Sequence, residues 1–375
     1  MKRITALFCT LLMLCSTALA VEISAPSALL MEASTGQILF EKDSHAHLPP
    51  ASVTKIMTLL ITMEALENGT ISWNDTVTAS EAACQKGGSQ VFLKEGEQMS
   101  MEDMVKSVVV ASANDCACAL AEHIAGSESA FVEKMNKRAA ELGMRDTHFV
   151  NCTGLDDAPE AGEHLTSAHD IAIMSRELLK HPDIRKYTTI WMDTVRNGEF
   201  GLTNTNKLVR FYDGATGLKT GYTSAAGHCM SASALRDGME LIAVVMHCAS
   251  SPQRFSDAKA LLNHGFASYG LYRPQVQVTD IPVVLGTAQT VTPVPKEDAP
   301  VLMEKALLSG AECVTEQAQN LCAPVEKGQQ VGTVTVKSGE TVIKQIPLVA
   351  QEEVPKLTWW QMTVKLLRQV CGAGL

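Results

Sequence analysis

Ser52-Val53-Thr54-Lys55 sets a hydroxyl and an amine three residues apart. On a helix that spacing puts both on nearly one face, with Cβ atoms about 5–6 Å apart, so a proton can pass between them. A free serine is a poor nucleophile and needs an adjacent base. Lysine serves when burial or a neighbouring cation brings its pKa towards neutrality. Ser52 also falls at an expected helix start, where unpaired N–H groups and the positive dipole end favour a developing oxyanion. Alone the pattern is weak, because a capping serine followed by a solvated lysine looks the same.

Two further elements follow. Ser112-Ala113-Asn114 lies between two apolar helical runs and therefore on a short connection. A hydroxyl and an amide there can relay a proton and hold a substrate peptide group, although Ser and Asn are also ordinary helix caps. Lys219-Thr220-Gly221 comes after Gly214 and Gly217 and before a strand-rich stretch. A cation and a hydroxyl side by side on a strand suit a carboxylate, and glycine admits a close backbone approach; the alternative is a turn with an exposed lysine. Their order, with 60 residues from Ser52 to Ser112 and 107 from Ser112 to Lys219, makes three weak signals one strong one.

The elements that must position them are legible in the patterning. Ala28–Met31 and Gln37–Glu41 flank Ser34-Thr35-Gly36 as a β-hairpin. From Ser52, apolar residues at 53, 56, 57, 60, 63 and 66 recur at helical steps until Asn68-Gly69. Further helices are predicted over 101–110, 115–124, 128–142 and 167–180, with Ser100 a cap and Gly143 a stop. Met230–Leu235 and Glu240–His247 flank Arg236-Asp237-Gly238 as a second hairpin, and a helix follows over 254–265. Strands at both ends of a helical block predict a mixed α+β domain, an antiparallel sheet covered by helices.

The 375-residue chain has ends of a different character. Lys2 and Arg3, an apolar run over 4–14 and Ala18-Leu19-Ala20 have the form of a secretory leader over 1–20, too short to span a bilayer. The serine-lysine domain then covers 21–272. Beyond Arg273-Pro274 the pattern becomes β-type alternation, predicting a small β-rich domain over 273–353. Over 354–375, Leu357, Trp359, Trp360, Thr363, Leu366, Leu367 and Val370 form an apolar helical stripe beside Lys356, Lys365 and Arg368. A basic amphipathic helix with paired Trp suits an anionic membrane surface; the alternative is a helix packed on the β domain.

Charge and cysteine content narrow the class further. Losing Lys2 and Arg3 with the leader leaves about 29 basic against 41 acidic residues, which opposes bulk affinity for nucleic acid. Hydrophobic residues at 46% suffice for a globular core. Nine of the 11 cysteines follow the leader, an odd number without a disulfide-framework spacing. Cys116-Ala117-Cys118 is predicted as buried thiols, while Cys313 and Cys322 are candidates for a short loop closure. Neither His45-Ala46-His47 nor the interval from His164 to His169 has metal-set spacing, and no metal site is expected.

At this point the sequence resembles the penicilloyl-serine transferase superfamily, with its S-x-x-K, S-x-N and K-T-G triplet. Residues 51–58, Asn114-Asp115, Gly154-Leu155-Asp156-Asp157, 217–223, and Arg254 with Leu261-Leu262 before Gly265-Phe266 look like the low-molecular-mass penicillin-binding proteins. These are the serine D-alanyl-D-alanine carboxypeptidases of the bacterial cell wall. Ala323-Pro324-Val325, Val331-Gly332-Thr333 and Ile346-Pro347-Leu348 resemble that family's C-terminal β domain, and the terminal helix is similar to its membrane anchor.

The resemblance implies a transpeptidase-like fold, export to the outer face of the cytoplasmic membrane, a peptidoglycan stem peptide as substrate, β-lactams as covalent inhibitors and no cofactor. It implies that Ser52 attacks the penultimate D-alanine, Lys55 takes its proton and Ser112 passes one to the departing D-alanine. Asn114 would hold the substrate amide, Lys219, Thr220 and Arg254 the terminal carboxylate, and the N–H groups of Ser52 and Tyr222, beside Gly221, the oxyanion. Cys116, Cys118, Cys229 and Cys248 near the motifs raise an expectation of thiol-reagent sensitivity. Two other readings stand beside this one. A secreted β-lactamase would need a second base such as Glu160 or Glu163; a non-catalytic wall-binding scaffold would not need Ser52, Lys55 and Lys219 intact.

Overall fold

The computed structural model describes residues 21–156 and 162–370, so the expected leader and Asp157 and Glu160 lie outside the described residues. The chain enters through β1 (Ser27–Glu32) and β2 (Ile38–Lys42), which turn back at Gly36, φ +73°. A 3-10 turn, Ala51–Thr54, leads into α1 (Lys55–Glu67), with Asn68 as its C-cap. A helical block follows: β3 (Thr76–Thr78), α2 (Glu81–Cys84), β4 (Gln98–Ser100), α3 (Met101–Val110), α4 (Asn114–Ala125), α5 (Glu128–Glu141) and α6 (Ala168–Leu179). The short α7 (Arg185–Thr188), the hairpin of β5 (Met192–Val195) and β6 (Phe200–Thr203), and α8 (Leu208–Phe211) bring the chain back to the sheet. There it forms β7 (Ala215–Thr223), β8 (Gly227–Arg236), β9 (Met239–Cys248) and finally α9 (Ser251–Ser268).

Local chemistry sets these limits. Ser100, Ser127, Ser167 and Ser250 each accept a backbone N–H from the first turn of the helix they precede. The Ser250 cap, with Pro252 in the first turn, starts α9 three residues before the predicted Arg254.

The central sheet has the order β2-β1-β9-β8-β7 and is antiparallel throughout. β9 is apolar at nearly every position because both faces are covered. Ile242, Val244 and Met246 join the core under α1, α4 and α6, whereas Leu241, Ala243 and Val245 face α9. Side chains alternate across a strand, so one segment divides its residues between two cores.

Tyr269–Tyr272 then pairs with Val301–Glu304. Leu302 of that ribbon packs into the α9 core, while Val301 and Met303 join the core of the C-terminal part. That part is built around a four-stranded sheet containing Pro293–Pro295, Thr341–Ala350, Gln330–Ser338 and Ala311–Gln317. Cys313 lies in this sheet and Cys322 in another, and both thiols are free, which decides against the loop closure the sequence left open. The terminal helix Trp359–Val370 leaves Trp359 89% and Trp360 77% exposed, so its aromatic stripe is not packed on the β domain. No helix among the described residues is long and apolar enough to cross a membrane.

Candidate active site

Three segments far apart in sequence meet at one buried amine. Ser52 sits in the 3-10 turn and Lys55 opens α1, fully buried, with its Nζ 3.0 Å from Ser52 Oγ. The same Nζ donates to Asn114 Oδ1 at 2.5 Å and to the Thr153 carbonyl at 2.8 Å. Burial lowers the Lys55 pKa to about 7, against smaller upward pulls from Cys152 and Asp115.

The connection carrying Ser112 holds that residue at φ +62°, a strained conformation for a side chain with a Cβ. Its Oγ accepts from Lys219 Nζ at 2.8 Å, and Lys219 Nζ also donates to the Thr220 carbonyl at 3.0 Å. Ser112 is therefore joined to the Lys219 side of the cleft. Lys219 lies on β7, as expected, and is buried. Desolvation, then repulsion from Lys55 and Arg254, pushes its pKa well down.

Thr220 Oγ1 donates to Thr205 Oγ1 at 2.7 Å. Gly221 lets β7 close on the serine turn, since a Cβ there would lie 2.7 Å from the Pro50 carbonyl and 3.0 Å from the Ser52 nitrogen. Tyr222 is 59% exposed and stacks on His228 with ring centroids 4.4 Å apart. Arg254 is buried beneath the strand, donating to the Gly221 carbonyl at 2.9 Å and the Cys229 carbonyl at 3.3 Å, with Nε unpartnered among the described residues. All nine predicted site residues thus fall in one region, although Arg254 is spent partly on strand carbonyls.

Several supporting residues had no role assigned from the sequence, and His164 lay outside every motif. Ala51 has φ +49°, and its carbonyl accepts from Thr54 Oγ1 at 2.8 Å. His164 Nδ1 accepts the Val150 N–H, so its Nε2 carries the proton and donates to Thr54 Oγ1 at 2.8 Å. That neutral tautomer fits a pKa lowered to about 4, chiefly by burial. Asp115 is fully buried and accepts the N–H groups of Val91, Leu93 and Cys116, shaping the 85–97 loop. Asn114 is anchored to that loop through its Nδ2 bond to the Gly87 carbonyl.

The thiol expectation is corrected. Cys116, Cys118, Cys229 and Cys248 are buried, and desolvation pushes the Cys229 and Cys248 pKa values to about 11 and 12. Protonated, enclosed thiols are poor nucleophiles. Glu163 lies exposed on the surface.

A family model described as D-alanyl-D-alanine carboxypeptidase matches residues 15–250, and one described as penicillin-binding protein 5, C-terminal domain, matches 266–356. The chain is 41% identical over 339 residues to the D-alanyl-D-alanine carboxypeptidase DacF of Bacillus subtilis, covering 88% of this chain and 86% of that protein. Penicillin binding protein 5 from Haemophilus influenzae superposes with a TM-score of 0.79 at 31% identity, covering 89% of this chain and 98% of the other. Penicillin-Binding Protein D2 from Listeria monocytogenes, in its ampicillin-bound form, matches with a TM-score of 0.60 at 29% identity over 66% of this chain and 99% of the other.

Gly154 offers a check on the packing behind Ser52. It has φ +81°, and a Cβ would lie 1.8 Å from the Ala51 carbonyl oxygen and 2.7 Å from Thr54 Oγ1. Gly154→Ala is expected to lower stability by more than about 1 kcal/mol in urea titration, through strained φ and the displaced turn. Labelling of the soluble variant by fluorescent penicillin should slow at least about tenfold, or about 1.4 kcal/mol in barrier. Wild-type labelling and stability would show that the turn does not depend on this contact.

Proposed function

This chain belongs to the D-alanyl-D-alanine carboxypeptidase family, and from that premise we propose that Ser52 is its nucleophile and Lys55 the base. The observation that carries this is the buried Lys55 amine, 3.0 Å from Ser52 Oγ, with a pKa near 7. In the neutral amine two N–H bonds serve Asn114 Oδ1 and the Thr153 carbonyl, both pure acceptors. The lone pair is left for the Ser52 proton. Oγ then attacks the carbonyl of the penultimate D-alanine of a peptidoglycan stem pentapeptide, and the oxyanion takes the backbone N–H groups of Ser52 and Tyr222.

Collapse of that intermediate breaks the C–N bond. Lys55, now an ammonium, passes its proton to Ser112 Oγ as Ser112, held by Lys219, gives its own hydroxyl proton to the leaving D-alanine nitrogen, so Lys55 and Ser112 both end as they began. Asn114 holds the substrate amide, and Lys219, Thr220 and Arg254 bind the terminal carboxylate, whose charge favours the Lys219 cation against the desolvation that opposes it. Water then hydrolyses the Ser52 ester. A β-lactam presents the same carboxylate and a strained amide, so it acylates Ser52, and ampicillin bound to the Listeria neighbour supports this.

Localisation belongs to the same proposal. The leader over 1–20 would export the enzyme, with the catalytic domain over 21–272 and the β domain over 273–353. The terminal helix would rest on the membrane surface with Trp359, Trp360, Leu366 and Leu367, all exposed, in the interface.

Ser52→Ala is expected to abolish release of D-alanine from diacyl-L-Lys-D-Ala-D-Ala and covalent penicillin labelling. In wild type the acylation rate should be half-maximal near pH 7 and fall about tenfold per unit below it, because protonation occupies the lone pair that Ser52 needs. A chromogenic β-lactam should give one burst followed by slow turnover. Fast sustained hydrolysis would favour the β-lactamase reading, and an acylation rate flat from pH 5 to 8 would remove Lys55 as base. For the tail, removing residues 357–375 should release the protein from sedimenting phosphatidylglycerol vesicles; equal binding of both forms would defeat that assignment.

A further inference from the structure

Away from the catalytic cleft, the fold gathers three histidines around one carboxylate. His45 Nδ1 lies 2.7 Å from Asp146 Oδ2, and His47 Nε2 lies 3.2 Å from Asp146 Oδ1. The ring of His169, in the first turn of α6, is 4.4 Å from that of His45. One nitrogen of His45, one of His169 and one oxygen of Asp146 lie within 4.8 Å of one another.

We propose that His45, Asp146 and His169 form a three-residue binding site for a borderline divalent transition-metal ion, zinc being the preferred one. Imidazole nitrogens with a single carboxylate are the donors of zinc and its neighbours rather than of magnesium or calcium. Zinc bonds of about 2.0–2.2 Å place tetrahedral ligands about 3.3 Å apart, inside the present spread of ligand atoms. His45 is 61% exposed in its side chain and free to make the small turn required.

The surroundings already orient the donors as outer partners do in metal sites. Asp146 Oδ2 accepts from Ser167 Oγ at 3.0 Å, and the Asp146 N–H donates to Asp170 Oδ2 at 2.8 Å. Asp170, itself buried, lies 3.2 Å through Oδ1 from His169 Nδ1 and so orients that ring. The sequence spacing hid the cluster, because its members come from the segment after β2, the segment after α5, and α6.

An ion here would clip those three segments together. Just beyond His47, Leu48 exchanges both backbone hydrogen bonds with Thr166, and Pro49-Pro50 then leads into the serine turn. The expected role is structural, stiffening the approach to Ser52 without touching substrate.

The test titrates zinc chloride alone into tag-free mature protein by calorimetry against a chelator of known affinity, with thermal unfolding in parallel. Wild type should bind one ion with a Kd at or below about 10 μM, and its Tm should rise by several degrees at saturation. The pair His45→Ala and His169→Ala should weaken binding at least about tenfold and remove the Tm rise. Unchanged penicillin labelling would certify that the variant is folded. A second buried set, Cys118, Glu128 and Cys152, is a rival zinc ligand group, with Glu128 already paired to Lys86 at 2.6 Å. The pair Cys118→Ser and Cys152→Ser should therefore keep wild-type zinc affinity. Undiminished affinity in the histidine variant, its loss in the cysteine variant, or no uptake by wild type at about 100 μM zinc would overturn the proposal.

Discussion

An amine kept dry beside a hydroxyl is the constraint from which the rest of this catalytic domain follows. A buried ammonium without partners is costly, so the group either loses its proton or is surrounded by acceptors. Here Lys55 has Ser52, Asn114 and the Thr153 carbonyl, drawn from the start of α1, the start of α4 and the segment after α5. Those acceptors stay in place only because each segment is fixed elsewhere. Thr58 Oγ1 donates to the Cys152 carbonyl, the Cys152 N–H donates to Glu128, and Asn114 is tied to Gly87. The second amine completes the design. Lys219, itself buried, has its protonation opposed first by desolvation and then by the nearby Lys55 and Arg254 charges.

Backbone strain is concentrated at the same place. Ala51 and Ser112 occupy left-handed conformations, and Gly154 and Gly221 are the two positions where a Cβ would strike the serine turn. The helical block and the antiparallel sheet hold these conformations by packing on both faces of β9.

Much of this was legible in the sequence, and the legible parts share a cause. Helices such as α3, whose apolar spacing and Ser100 cap are local signals, begin and end at the predicted residues. Ser52, Lys55, Ser112 and Lys219 were visible because their types and order form the motif on which the proposed chemistry rests. Residues that act through tertiary contacts left no local trace. His164 reaches Thr54 across 110 residues, Thr205 reaches Thr220 through a loop, and Thr153 contributes only a carbonyl, which any residue has. Arg254 was found by resemblance, yet its bonds to the Gly221 and Cys229 carbonyls depend on how α9 lies against β7 and β8. The thiol expectation failed because proximity in sequence says nothing about enclosure.

The protonation of Lys55 in the free enzyme can be observed directly by following side-chain nitrogens of 15N-lysine-labelled protein by NMR from pH 5 to 11, with Lys55→Arg to assign the signal. One lysine should titrate with a midpoint near 7, and its signal should vanish in the variant. Should the lysine whose signal the variant removes instead keep its proton to pH 9 or above, Ser52 would have no base at neutral pH and the mechanism built on that pair would be wrong.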